Sequence, residues 1–256
     1  MTNHDYEHAW RDAGYPKQMG SAKFLPPPDP KFVRAYYLTS AEHGINSISL
    51  CRLKVARFSD ANDPFELLAF NTHKHEIHRL LRRFKTKQNN KMGMLCFSEN
   101  WTDPLLWSHY ASKHEGICLG FDLWRGDEVQ KVAYEKKRPR LEVGTDQDAQ
   151  SIGSGVQNPL LRTKFSGWEY EQELRRFVDL SKTKKEKGLY FLPFDKDLRL
   201  REVILGERNE CSLDATRALA KSTNPEAVVF KTRLERRDFR IVGDGRYPPE
   251  ITMDLT

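Results

Sequence analysis

The chain of 256 residues has no run approaching the ~18 consecutive apolar residues that a membrane-spanning helix needs, and its first residues (Met1, Thr2, Asn3, His4, Asp5) lack the basic-then-apolar pattern of a secretory signal. Both absences lead us to expect a cytoplasmic protein with no membrane partner. Cysteine is scarce: Cys51, Cys96, Cys118 and Cys211 stand far apart, without a C-x-x-C pair and each among apolar neighbours, which argues against a disulfide framework or a zinc site. Also missing are a G-x-G-x-x-G turn after a strand, a Walker loop, a G-x-S-x-G elbow and an H-E-x-x-H helix, so no familiar nucleotide fold or hydrolase is signalled. His73, His75 and His78 lie close in sequence, but no nearby acid or cysteine completes a ligand set, and no metal is expected.

What is present begins with 14 Phe, 9 Tyr and 5 Trp, too many for a disordered chain. Residues 1–30 read as an N-terminal extension ending in the Pro-rich linker Pro26, Pro27, Pro28, Asp29 and Pro30, and 31–256 as a single domain. Lys and Arg number 42 against 36 Asp and Glu, a net charge of +6. Residues 74–91 hold seven Lys and Arg (Lys74, Arg79, Arg82, Arg83, Lys85, Lys87, Lys91) against Glu76, an excess equal to that of the whole chain. Lys131, Lys136, Lys137, Arg138 and Arg140 form a second run, and residues 182–187 a short Lys-rich loop. Each run alone reads as a solvated face; several converging on one groove would read as a grip for nucleic acid.

Aromatic and β-branched content predicts a strand from Phe32 to Leu38, and Thr39-Ser40 a helix start over Ala41 to Ile45. Ile48, Leu50, Leu53 and Val55 read as extended, and Asn62-Asp63-Pro64 as the cap of a helix running to about Phe84 on the stripe Ile77, Leu80, Leu81, Phe84. Met92 to Ser98 reads as a buried strand, Asp103-Pro104 as the start of a short helix, Ile117 to Phe121 as another strand, Val129 to Tyr134 as a weaker one, and 139–158 as a long mobile loop. A helical segment at 159–165 precedes strands at 170–178, 189–194, 202–205, 227–231 and 239–242, with a helix from Ser212 between the later ones. Many strands with few, non-alternating helices predict an α+β protein.

Two constellations carry chemistry. In Glu171-Gln172-Glu173-Leu174-Arg175, strand alternation would put Glu171, Glu173 and Arg175 on one face, where like charges raise one carboxyl and Arg175 fixes the other as an anion; the competing reading is a charge ladder on a solvated sheet. Ser98-Glu99 ends a strand before a helix presenting Trp107, His109 and Tyr110, rings suited to stacking on a flat ligand and bonding a sugar or phosphate, or else to packing a core.

The blocks Asn62-Asp63-Pro64-Phe65-Glu66, Cys96-Phe97-Ser98-Glu99, Trp107-Ser108-His109-Tyr110-Ala111, His114 to Asp122 and Trp168 to Arg175 together resemble a widespread bacterial family of unassigned function often found near phage-defence genes. More distantly, Tyr36-Tyr37-Leu38-Thr39-Ser40 and the Ser98 strand end are similar to the nicotinamide-binding strands of ADP-ribosyltransferases. That second resemblance implies a mixed, mostly antiparallel split sheet with flanking helices, ADP-ribosyltransferase-like, and NAD as cofactor. It implies Glu173 or Glu171 against the nicotinamide ribose, Arg34 or Tyr37 at the first-strand position, Tyr110 or Trp107 stacked on nicotinamide, and Arg34 or Arg175 near the diphosphate, with Tyr36, Thr39, Ser98 and His109 lining the site. The acceptor would be RNA or single-stranded DNA held by Arg79, Arg82, Arg83, Lys85 and Lys87, in a toxin or phage-defence effector partnered by an antitoxin or chaperone. The alternatives are a metal-independent ribonuclease using His109 and Glu173, and a non-enzymatic nucleic-acid or partner-binding module.

Overall fold

The computed structural model describes residues 25–68, 70, 75–126, 128–139 and 159–247. The expected extension lies outside these residues up to position 24, as does the expected loop from 140 to 158. The strands are β1 (Phe32–Thr39), β2 (Arg52–Val55), β3 (Met92–Ser98), β4 (Ile117–Trp124), β5 (Val129–Lys131), β6 (Ala133–Glu135) and β7 (Thr163–Phe165). They continue with β8 (Glu173–Asp179), β9 (Lys184–Glu186), β10 (Leu189–Pro193), β11 (Leu198–Leu205), β12 (Val228–Leu234) and β13 (Ile241–Gly243). The helices are α1 (Ala41–Ser49), α2 (His75–Lys91), α3 (Pro104–Tyr110) and α4 (Leu213–Thr223). The protein is α+β with mostly antiparallel pairings, and it divides into two compact units, each assembled from separate stretches of chain.

Unit 1 takes the described residues up to Cys51, then Glu99–Trp124, then those from Phe194 on. Strand β4 is its centre, and its residues Ile117 to Leu123 are all buried, as a strand covered on both faces requires. It pairs antiparallel with β1 from Phe32↔Trp124 to Thr39↔Ile117, and on its other side with β11, where a register shift falls between Leu200 and Glu202. Helix α4 connects β11 to the parallel β12, which β13 flanks antiparallel. Local chemistry sets the helix starts: Ser40 accepts the His43 N–H, Asp103 the Leu105 N–H ahead of Pro104, and Ser212 the Ala215 N–H. Tyr36, Trp101, Trp107, Cys118, Ile204 and Phe230 form the core, where a ring such as that of Phe230, wholly removed from water, contributes about 1.5–3 kcal/mol.

Unit 2 takes Arg52–Ser98 and Arg125–Pro193. Its sheet has β8 between β3, paired from Met92↔Asp179 to Ser98↔Glu173, and the short β5. Strands β2, β10 and β9 make a second small sheet, and β6 pairs in parallel with β7. Phe58, Leu67, Phe70, Leu81, Phe84, Met94 and Leu160 pack its core, with Leu81 and Phe84 supplied by α2.

Several local expectations need correcting: Ile48, read as extended, lies in α1, whose C-cap is Leu50, and the strand read over Val129 to Tyr134 is split into β5 and β6. The helix foreseen from Asn62-Asp63-Pro64 does not form there, and the described helix is His75–Lys91: Asp63 Oδ1 accepts the Phe65 N–H at 2.9 Å to close an Asx turn, and Leu67 then sits left-handed at φ 58°, which a continuing helix forbids. The strand foreseen from Tyr170 is a 3-10 turn over Ser166–Glu171, then Gln172 left-handed at φ 44°, then β8. Residues 159–162 are helical but Thr163–Phe165 is extended. The Lys-rich loop is in part strand β9, all of it exposed at the edge of its sheet, joined to β10 through Lys187 (φ 48°) and Gly188 (φ 84°), the paired left-handed residues of a tight hairpin turn.

Gly116, between the turn that follows α3 and the start of β4, is under a tight constraint: a Cβ there would stand 2.2 Å from the Thr39 carbonyl oxygen. Gly116→Ala is expected to cost roughly 1–3 kcal/mol as overpacking against backbone, read as a lower urea midpoint at unchanged m; an unshifted midpoint would show that the turn yields freely.

Candidate functional site

Arg175, on β8 in unit 2, is 1% exposed. A guanidinium taken out of water costs several kcal/mol unless its five N–H groups find partners. Here all five do. Nη1 donates to Glu66 Oε1 (2.8 Å) and the Leu161 carbonyl (2.7 Å), Nη2 to Glu66 Oε2 (2.9 Å) and Glu173 Oε2 (3.3 Å), and Nε to Glu173 Oε1 (2.8 Å). Lys164 on β7 extends the cluster, its Nζ donating to Glu171 and to Glu173 Oε2 (3.0 Å) and lying 5.0 Å from the Trp168 ring centre. The Glu173 N–H donates to the Tyr134 hydroxyl at 2.8 Å. Glu66, Glu171 and Glu173 thus face Arg175 and Lys164, all of them buried.

Burial alone would raise the Glu173 carboxyl, but Arg175 and then Lys164 overcome it and hold the group down at about 2. Burial dominates at Glu66 and raises it against the pull of Arg175. Burial opposes the Lys164 ammonium, yet Glu173 and Glu171 lift it above the ordinary lysine value. Burial, with the nearby carboxylates, pushes Tyr134 up to about 12. A carboxylate at about 2 is a poor proton acceptor near neutral pH, and a doubly paired ammonium is no nucleophile. The cluster ties β7, β8 and the turn at Glu66 together through these bonds.

Glu173, Glu171 and Arg175 come together as foreseen, through the left-handed Gln172 rather than strand alternation, and Ser98 lies opposite Glu173 in register. Arg34, Tyr36, Tyr37, Thr39, Trp107, His109 and Tyr110 belong to unit 1. There Arg34 Nε donates to Asp122 Oδ1 (2.5 Å) and Nη1 to Glu202 Oε2 (3.3 Å), and the buried Tyr36 hydroxyl bonds Glu202, whose Oε1 has no partner among the described residues. Thr39 is buried and Tyr37 half-buried. Trp107 is fully buried with its indole N–H on the Trp101 carbonyl (2.6 Å), so it is core and offers no face to a ligand; His109 is exposed and Tyr110 half-buried, their rings edge to face. NAD finds no fit at these residues: Arg34 and Arg175, the cations expected at its diphosphate, are spent on internal carboxylates, and one expected stacking ring is inaccessible. Among the described residues no group of three His, Cys, Asp or Glu is placed to hold a metal.

The basic residues divide differently. On α2, Arg79, Arg82, Arg83 and Lys87 are exposed and pair with no acid among the described residues, whereas Lys85 turns inward to the Glu66 carbonyl (2.7 Å). From the second run, Arg138 donates to the Leu68 and Phe70 carbonyls, with its guanidinium 5.3 Å from the Phe65 ring centre. Both runs thus reach one segment, Glu66 to Phe70. Beside it opens a cleft of about 200 Å³ lined by Phe65, Phe165, Lys136, Lys137, Arg138 and Lys164, among others. Neither Glu66, Lys164, Tyr134 nor the cleft phenylalanines was given a role from the sequence; Phe65 and Glu66 alone carried a signal, as members of the Asn-Asp-Pro-Phe-Glu block.

Two expectations follow from the cluster. Arg175→Met leaves Glu66 and Glu173 buried without their shared cation, an expected loss of ~3–5 kcal/mol in chemical denaturation; a loss under 1 kcal/mol would show that water or a neighbour replaces it. Glu173 falls from an ordinary 4.5 to about 2 in the fold, so it adds stability that is complete above about 4.5 and drains away as pH falls towards 2. Glu173→Gln should accordingly flatten the acid limb of the urea-midpoint profile across that window, and an equally steep limb would assign it to other carboxylates.

Comparison of the chain with protein-family models, with curated proteins and with solved structures finds no match, and so neither confirms nor refutes the resemblances of its motif blocks.

Proposed function

We propose that the protein binds single-stranded nucleic acid through the basic surface of unit 2. One observation carries this reading: charge is sorted by unit. The two stretches forming unit 2 contain 24 Lys and Arg against 15 Asp and Glu, a net +9, and the remainder 18 against 21, a net −3. A chain-wide excess kept for solubility has no reason to be concentrated in this way. Within unit 2 the buried cations are neutralised by Glu66, Glu171 and Glu173, so the uncompensated charge lies at the surface, where Arg79, Arg82, Arg83 and Lys87 of α2 and Lys136 and Lys137 are among the exposed cations. Exposed cations beside exposed aromatics are the composition of surfaces that track a phosphate backbone and stack bases. The reading rests on the exposed cations and not on Arg34 or Arg175, which are paired with internal carboxylates.

Binding of a labelled single strand, followed by anisotropy across a salt series, tests the reading. Affinity should fall linearly on a log–log plot, and replacing Arg79, Arg82 and Arg83 by Ala should reduce the slope by roughly 0.7 for each phosphate that is no longer neutralised. Absence of binding by the unaltered chain at low salt would overturn it.

A further inference from the structure

The cleft beside Glu66 to Phe70 displays two phenylalanines that the fold has no need to expose. Phe65 is 49% and Phe165 54% exposed, although each lies within a tightly fixed segment. Phe65 sits between Asp63, which takes its N–H at 2.9 Å, and Glu66, which is locked bidentately to Arg175. Phe165 ends β7, and its ring rests on Gly167, where a Cβ would come within 2.6 Å of ring carbon Cε1. The Asn-Asp-Pro-Phe-Glu turn thus works as a holder, with Asp63 closing it, Glu66 anchoring it and Phe65 left in water.

The lining decides what could cover these rings. The lining holds two acids, Asp63, whose Oδ1 takes the Phe65 N–H, and the exposed Glu135; against them Lys136 and Lys137 are exposed and pair with no acid among the described residues, and Arg138 is fixed over Phe65 by two backbone carbonyls. Aromatic faces beside unpaired cations suit a flat ring bearing negative charge close by. At about 200 Å³ the cleft is smaller than the roughly 300–1,000 Å³ typical of sites for whole cofactors. A base held in a duplex keeps both faces stacked on its neighbours and offers none to Phe65 or Phe165. We infer that the cleft is a subsite for one unpaired base of a nucleic-acid strand, with the flanking phosphates against Lys136 and Lys137. This rests on the nucleic-acid reading above and adds to it a position at which the base, and not only the backbone, is held.

The test compares a single-stranded oligothymidine with a fully abasic strand of equal length, against the unaltered chain, Phe165→Ala, Phe65→Ala and Gly167→Ala. Both phenylalanines are exposed, so the Ala variants should keep their circular dichroism and melting temperature. The expected result is roughly tenfold weaker binding of the base-bearing strand by each phenylalanine variant, the scale of removing one base–aromatic stack, with abasic-strand binding unchanged. Gly167→Ala, which pushes the Phe165 ring aside without removing it, should give a smaller loss confined to the same strand. Equal losses on both strands, or none on either, would overturn the subsite while leaving backbone binding intact. If thymidine monophosphate alone binds as tightly as the strand, the cleft is a free-nucleotide site and the inference fails. If neither strand binds the unaltered chain at low salt, subsite and nucleic-acid reading fall together.

Discussion

A guanidinium has five donors in a rigid plane, and inside a protein each one left empty is a penalty with no solvent to relieve it. Arg175 fills all five with Glu66, Glu173 and the Leu161 carbonyl, and much of unit 2 is arranged by that requirement. Glu66 brings in the turn at 62–66, Leu161 the helical residues 159–162, and Glu173, by sharing an oxygen with Lys164, ties β8 to β7 and to Glu171. A lysine in place of Arg175 could not span two carboxylates bidentately. Such a cluster adds little net stability over a packed apolar equivalent. Its geometry is strict, however, and it holds several irregular segments in one arrangement where hydrophobic contact alone would let them slide.

The cluster also separates two uses of charge. Lys164, Lys85 and Arg175 turn inward to carboxylates or backbone carbonyls and Arg138, though exposed, is tied to two carbonyls, while Arg79, Arg82, Arg83, Lys87, Lys136 and Lys137 face water. Only the second set can exchange counterions for phosphates, which is the source of salt-dependent affinity. Unit 1 shows the inward use again on a smaller scale, with Arg34 between Asp122 and Glu202. There the bulge between Leu200 and Glu202 interrupts β11, and Glu202 lies against Gly120, whose missing side chain makes the room.

What was legible in the sequence is what short-range physics decides. Met92–Ser98 is an apolar run bounded by polar residues and is the strand it looks like, and Asp103-Pro104 starts α3 because cap and first helical residue are adjacent. The errors lie where a local signal has two outcomes. Asp63 can cap a helix or close an Asx turn, and Leu67 at positive φ decides for the turn; Glu171 and Glu173 fit an alternating strand until Gln172 turns left-handed. Least legible were the long-range partners. Glu66 and Arg175 are 109 residues apart, and no periodicity joins them. Trp107 was balanced between core and ligand platform, and its complete burial with the Trp101 carbonyl on its indole decides for core.

The short strand β9 has a role of its own. It lies at the edge of its sheet, with Lys184, Lys185 and Glu186 all exposed and Glu186 held by Arg52 from β2. A free edge presents unpaired amide and carbonyl groups to any other extended chain, and three residues with two lysines make a poor template for one. The lysines that first looked like part of a basic patch therefore guard against strand-to-strand aggregation. The tight turn at Lys187 and Gly188 matters for the same reason, because it keeps this edge too short to recruit a partner.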